Sequence, residues 1–164
     1  MNASTNNLPL TLRTTNSGFT LIELMVTIAV LAIIVGIAAP SISTQLANQR
    51  VKSTTATLAN ALKEAKNESL IRRQEVEVSY DNVSSTIKLK VNTSSGSQDE
   101  ITAYHYNPKT TINGDDDDVD VDFKPNKTAD AETLVICDIG DAADPRQILV
   151  SKLGQISIQL GGSC

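Results

Sequence analysis

Mostly polar residues fill positions 1–17 of the chain, and then the pattern breaks. Between residues 19 and 39 only Glu23 is charged, and the next charge after it is Arg50. A helix over that run is about 30 Å long, close to the hydrocarbon thickness of a bilayer. Pro40 closes it, with Gly36 one turn earlier. A proline inside a helix removes one hydrogen bond and crowds the carbonyl a turn before it. Helical periodicity resumes afterwards, so Gly36 and Pro40 predict a kink. Residues 41–73 read as an amphipathic helix. Ile42, Leu46, Val51, Leu58, Leu62 and Ala65 recur at steps of three, four or seven, with one step of five, while Arg50, Lys52, Lys63, Glu64, Lys66 and Glu68 mostly take the other faces.

After Gln74 the period changes to two. Val76, Val78 and Tyr80 alternate with polar residues, as do Ile87, Leu89 and Val91, and Asp81-Asn82-Val83-Ser84-Ser85 between them predicts the turn of a hairpin. Residues 92–99 read as a polar loop. Further strands are expected at 101–106, 119–123, 134–137, 147–150 and 155–160, with Lys152-Leu153-Gly154 turning the last pair. The expected organisation is a leader at 1–18, an apolar helix at 19–40, an amphipathic helix at 41–74 and a β-rich head at 75–164. The fold class is α+β: a long N-terminal helix packed on a mostly antiparallel β head.

Composition narrows this further. Aromatic residues are 3% and there is no Trp, so the core is expected from Val, Ile, Leu and Ala. Net charge is −5, and the leader's single charge is Arg13, which leaves −6 beyond it. An acidic surface repels phosphate backbones and argues against nucleic acid as a partner. The two cysteines, Cys137 and Cys164, read as one disulfide if the chain leaves the cytosol. Closing that loop is worth about 3–4 kcal/mol. Free thiols or a metal pair are the other readings.

Asp115, Asp116, Asp117 and Asp118, followed by Asp120 and Asp122, form the densest charge run. Oxygen ligands in a loop can hold calcium, but the spaced Asp-x-Asp-x-Asp-Gly pattern is absent, so a solvated acidic loop is expected. His105, between Tyr104 and Tyr106, is the single histidine, with no nucleophile motif to go with it. No Gly-rich phosphate loop, CxxC or HExxH occurs. Neither an enzyme nor a cofactor is expected.

Three readings compete for the N-terminus. A secretory signal peptide has a shorter apolar core, and here Ala38-Ala39 is followed at once by Pro40. A plain membrane anchor leaves Glu23 unexplained. The third reading rests on a resemblance: Gly18-Phe19-Thr20-Leu21-Ile22-Glu23-Leu24-Met25-Val26 resembles the processing site of type IV pilins and type II secretion pseudopilins. The resemblance implies cleavage after Gly18 by a prepilin peptidase and N-methylation of Phe19. It also implies assembly into a filament whose core is the N-terminal helices. Glu23 of one subunit would then meet the new amine of its neighbour.

The helix end, Leu58-Ala-Asn-Ala-Leu-Lys-Glu-Ala-Lys-Asn-Glu-Ser-Leu-Ile-Arg-Arg-Gln-Glu-Val76, and the closing Arg146-Gln-Ile-Leu-Val-Ser-Lys-Leu-Gly-Gln-Ile-Ser-Ile158 resemble the GspH/FimT/FimU group. FimT-like DNA receptors of that group carry arginines beside the hairpin glycine, whereas Gly154-Gln155-Ile156-Ser157 has no basic residue. The C-terminal cysteine looks more like FimU. The resemblance therefore implies a minor pilin of a type IV pilus, placed in the tip complex that primes fibre assembly. Its expected partners are other minor pilins, the major pilin, the peptidase and the inner-membrane assembly platform. The chain is expected to be single-pass in the bacterial inner membrane, head in the periplasm, before assembly. A GspH-type pseudopilin of type II secretion and a FimT-like DNA-binding pilin are the alternatives.

Overall fold

Alternate burial on a helix and alternate facing on strands meet here in one core. The computed structural model describes residues 18–92, 98–114 and 120–164. Two compact units result, Met1–Ala38 and Ala39–Cys164. Helix α1, Leu21–Arg72, contributes to both. It ends where Arg73 takes a left-handed φ of 56°, a common way to terminate a helix.

In the second unit α1 buries Ala47, Val51, Leu58, Ala59, Ala61, Leu62 and Ala65. Alanines at the contact let the helix lie close to the head, while Leu58 and Leu62 each contribute about 1.5–3 kcal/mol by burial. Ile42 and Leu46, expected in this stripe, are exposed instead. Within the second unit the burial of α1 begins, among the described residues, at Ala47.

Among the described residues eight strands follow: β1 Val76–Asp81, β2 Thr86–Asn92, β3 Gln98–His105, β4 Thr110–Asn113, β5 Asp120–Phe123, β6 Glu132–Asp138, β7 Arg146–Val150 and β8 Ile156–Leu160. They form two four-stranded sheets, in the order β3-β2-β1-β5 and β4-β6-β7-β8. Every pair is antiparallel. The expected first hairpin sets Val76 opposite Val91, Val78 opposite Leu89 and Tyr80 opposite Ile87. The last hairpin turns at Gly154, whose φ of +63° suits glycine and whose Cβ would lie 3.2 Å from the Lys127 carbonyl.

Three details depart from the sequence reading. β4 was not expected, because a four-residue strand with one aliphatic side chain, Ile112, carries no visible period. Gln98 and Asp99, read as loop, belong to β3, where pairing to β2 outweighs their polar character. Tyr106 lies just beyond β3 and is buried. Val119 falls outside the described residues.

The core is a single cluster from α1 and both sheets, including Leu58, Leu62, Ile87, Leu89, Phe123, Leu134, Ile136 and Ile148. Polar bonds pin its parts. Thr54 on α1 and Thr110 on β4 share a buried hydroxyl hydrogen bond of 2.9 Å. Tyr104 on β3 donates to Glu64 on α1, and Lys66 donates to the Gly154 carbonyl at 2.8 Å. Arg50 faces the buried Asp138 of β6 at 3.3 Å.

Asn82 connects the sheets. Its Nδ2 donates to the Ile112 carbonyl and its Oδ1 accepts the Ile112 N–H, both at 2.9 Å, so a turn residue of one sheet imitates a strand beside β4 of the other. The Tyr106 hydroxyl also donates to Asn82 Oδ1, at 2.7 Å. Burial pushes the Tyr106 phenol up to about 12, which keeps it a donor at ordinary pH. Asp122 on β5 is strained electrostatically. Burial first, then the neighbouring charges of Glu75, Asp130 and Glu77, raise its carboxyl to about 6.

Two outcomes follow for the head. Asn82→Ala strands the Ile112 amide and carbonyl and is expected to cost about 2–3 kcal/mol in urea unfolding, against about 1 kcal/mol for Tyr106→Phe. An Asp122 that holds its proton more tightly folded than unfolded gives the folded state extra protons between pH 3.8 and about 6. Stability therefore falls as pH rises through that window. Asp122→Asn is expected to flatten this slope and to raise the melting temperature at pH 7, as read by calorimetry.

Candidate processing and assembly site

Residues 18–20 precede the first turn of α1 without regular structure. A Cβ added at Gly18 would meet nothing within 4 Å, and Gly18 does not use a left-handed φ. Nothing in the described residues therefore requires glycine at this position. Thr20 caps the helix: its Oγ1 accepts the Glu23 N–H at 3.3 Å and its carbonyl accepts the Leu24 N–H at 3.2 Å. Thr20-Leu21-Ile22-Glu23 thus has the threonine-x-x-glutamate spacing of a capping box, with the threonine half of it made. It gives Glu23 a local role at the positive end of the helix dipole, worth about 0.3–1 kcal/mol. No ion pair joins Glu23 to any cation of the described residues.

The helix beyond is apolar on all sides. Thirteen large apolar side chains between Phe19 and Ile37 are 50–78% exposed. Gly18, Phe19 and Glu23 therefore stand together at the start of a surface that the described residues of its own unit leave unburied. Neither Leu21–Ile37 nor Ser41–Arg72 alone is long and apolar enough to cross a membrane; together they meet that test by length and composition. The assigned helix continues through Pro40 rather than stopping there. Gly36 is exposed with open space at its Cβ, while the side chains of residues 38–40 lie outside the described residues.

The other candidates separate from this site. Cys137 on β6 and Cys164 are bonded, with Cα atoms 6.0 Å apart. The tail reaches Cys137 by crossing from β8. Gly161 N–H donates to the Pro145 carbonyl at 2.9 Å, and Gly162 passes so close to Val135 that a Cβ would sit 2.6 Å from its Cγ1. Asp115, Asp116, Asp117 and Asp118 lie outside the described residues. Asp120 and Asp122 are strand residues of β5. Among the described residues no group of three or more His, Cys, Asp or Glu is placed to hold a metal. His105 is exposed at the end of β3, 3.3 Å from the Thr86 hydroxyl.

Comparison with known proteins agrees at both ends of the chain. Residues 13–39 match the prokaryotic N-terminal methylation motif. No curated protein matches the sequence. The fold is similar to the type IV minor pilin FimU of Pseudomonas aeruginosa, with a TM-score of 0.60 at 18% identity over 71% of this chain and 96% of that one. It is similar to the minor pseudopilin EpsH of the Vibrio cholerae type 2 secretion system, at 0.58 and 11% identity over 70% and 99%. GspH of E. coli follows at 0.56 and 16% identity over 70% and 91%. The chain thus joins an N-terminal methylation motif at residues 13–39 to a head whose fold is similar to those of FimU, EpsH and GspH.

Proposed function

We propose that the chain is a minor pilin of a type IV pilus, cut after Gly18 by a prepilin peptidase, methylated at Phe19 and assembled in the tip complex that primes the fibre. The observation that carries this reading is the exposed, all-apolar first half of α1 with one carboxylate near its start. Hydrolysis of the Gly18–Phe19 bond leaves a carboxylate on the leader and an amine on Phe19. That amine carries positive charge into the start of a helix, where the dipole disfavours it. A carboxylate from a neighbouring subunit removes the penalty, and Glu23 is the available group. In hydrocarbon each charge alone is costly, whereas as a pair they set the axial register between helices. Before assembly the helix lies in the inner membrane with the head in the periplasm. Its partners are other minor pilins and the major pilin, reached through α1, and the inner-membrane assembly platform. The role is structural rather than enzymatic.

The Cys137–Cys164 pair favours the FimU kind, by resemblance. A pseudopilin of type II secretion is the second reading, supported by the equally good fold likeness to EpsH and GspH.

Mass spectrometry is expected to find the mature chain beginning at Phe19 with one added methyl group. Glu23→Ala should still be cut and membrane-bound, yet enter filaments at least about tenfold less, since an unpaired buried charge costs about 3–5 kcal/mol. Incorporation at the wild-type level would remove the pairing from the account. Deleting the gene is expected to reduce surface pili and leave enzyme secretion intact; the reverse pattern selects the pseudopilin.

A further inference from the structure

A free sheet edge is a template for another strand, and proteins guard such edges with charge, shortness, proline or irregular pairing. The two sheets end in β3, β5, β4 and β8. β4 and β5 have four residues each, and β5 carries Asp120 and Asp122. β3 carries Asp99 and Glu100, and its pairing to β2 shifts register at Leu89/Lys90. β8 has none of these guards. Ile156-Ser157-Ile158-Gln159-Leu160 holds no charge and no proline, and pairs with β7 in unbroken register. Ile158 lies opposite the buried Ile148, so the Ile156, Ile158 and Leu160 side chains continue the core face of the sheet outward. Yet Ile158 is 46% exposed and Leu160 70%.

The ground beside β8 is positive, on a chain of net charge −5. At the start of the strand, Lys63 and Lys66 of α1 line a groove of about 400 Å³ with Gly154 and Ile156. At its end, Lys52 and Arg146 line another of about 330 Å³ with Gln49 and Leu160, where Asp144 is the one acidic neighbour. Gln45 and Gln49 join that groove to an apolar strip at Ile42 and Leu46. Lys88, Lys90 and Lys124 are neutralised by Glu100, Glu77 and Asp130. Lys52, Lys63 and Arg146 enter no ion pair among the described residues.

We infer that β8 and the adjoining face of α1 receive an extended, acidic segment of a partner protein, which adds a fifth strand to the β4-β6-β7-β8 sheet. Its main chain bonds the open edge, its apolar side chains cover Ile158 and Leu160, and its carboxylates meet Lys52, Lys63 and Arg146. Main-chain bonding supplies affinity and charge supplies choice of partner. A second copy of this chain fits poorly, because β8 against β8 brings the cations of both copies together. Nucleic acid meets the charge but offers no main-chain amides for the edge. The inference stands apart from the filament reading, since a peptide can bind β8 whether or not the chain enters a filament.

The probe is a ten-residue peptide with valine and aspartate taking turns at every second position and threonine between them, so that both face α1, added to the full chain in detergent micelles. Binding is expected by fluorescence anisotropy, with slowed hydrogen exchange at β8 amides. Lys52→Glu with Lys63→Glu should weaken it about tenfold, and Ile158→Lys, which puts a charge on the edge, should abolish it while the melting temperature stays near wild type. Equal binding of a valine–lysine peptide, binding without protection at β8, or tighter binding of duplex DNA at the same salt would each overturn the inference. So would dimerisation of the chain that Ile158→Lys removes.

Discussion

Among the described residues the first half of α1 has no partner within its own unit, and the proposed function depends on burying it. Thirteen large apolar side chains from Phe19 to Ile37 stay half or more exposed. Each is worth about 1.5–3 kcal/mol when fully buried, so the total runs to tens of kcal/mol. One carboxylate in the same helix costs about 2.5–3.5 kcal/mol on membrane-insertion scales. The apolar surface wins by a wide margin, and Glu23 is carried along. Its cost persists in any apolar surrounding, which is the basis of the proposed pairing with a neighbouring amine.

The second half of α1 solves the opposite problem. Ala47 to Ser69 supply the buried face on which the two sheets share one core. Polar bonds then fix the assembly in one arrangement. Thr54 meets Thr110, Glu64 meets Tyr104, and Asn82 ties the first hairpin to β4. The C-terminal tail crosses the other sheet to close on Cys137. The tail bonds beside Pro145 and Val135 and leaves the outer edge of β8 open. Covalent closure and an open edge therefore coexist on one sheet.

Much of this was legible in the residues. Glu23 announces itself because a membrane-length apolar run tolerates so few charges. Val76, Val78 and Tyr80 against Ile87, Leu89 and Val91 reveal a hairpin, since alternation and a turn are local properties. Thr20, whose hydroxyl accepts the Glu23 N–H, is equally local, since a cap acts within one turn.

What the sequence by itself determined was the local chemistry: where the helix begins, which residues alternate, and which lone carboxylate sits in apolar surroundings. Tertiary structure decided everything that depends on residues far apart in the chain. It placed Ile42 and Leu46 in the open, because burial of α1 starts only at Ala47. It raised β4 from a polar stretch through pairing with β6, and it gathered Lys52, Lys63 and Arg146 beside β8. Burial, pairing and electrostatic fields all act through space, so periodicity along the chain carries no record of them.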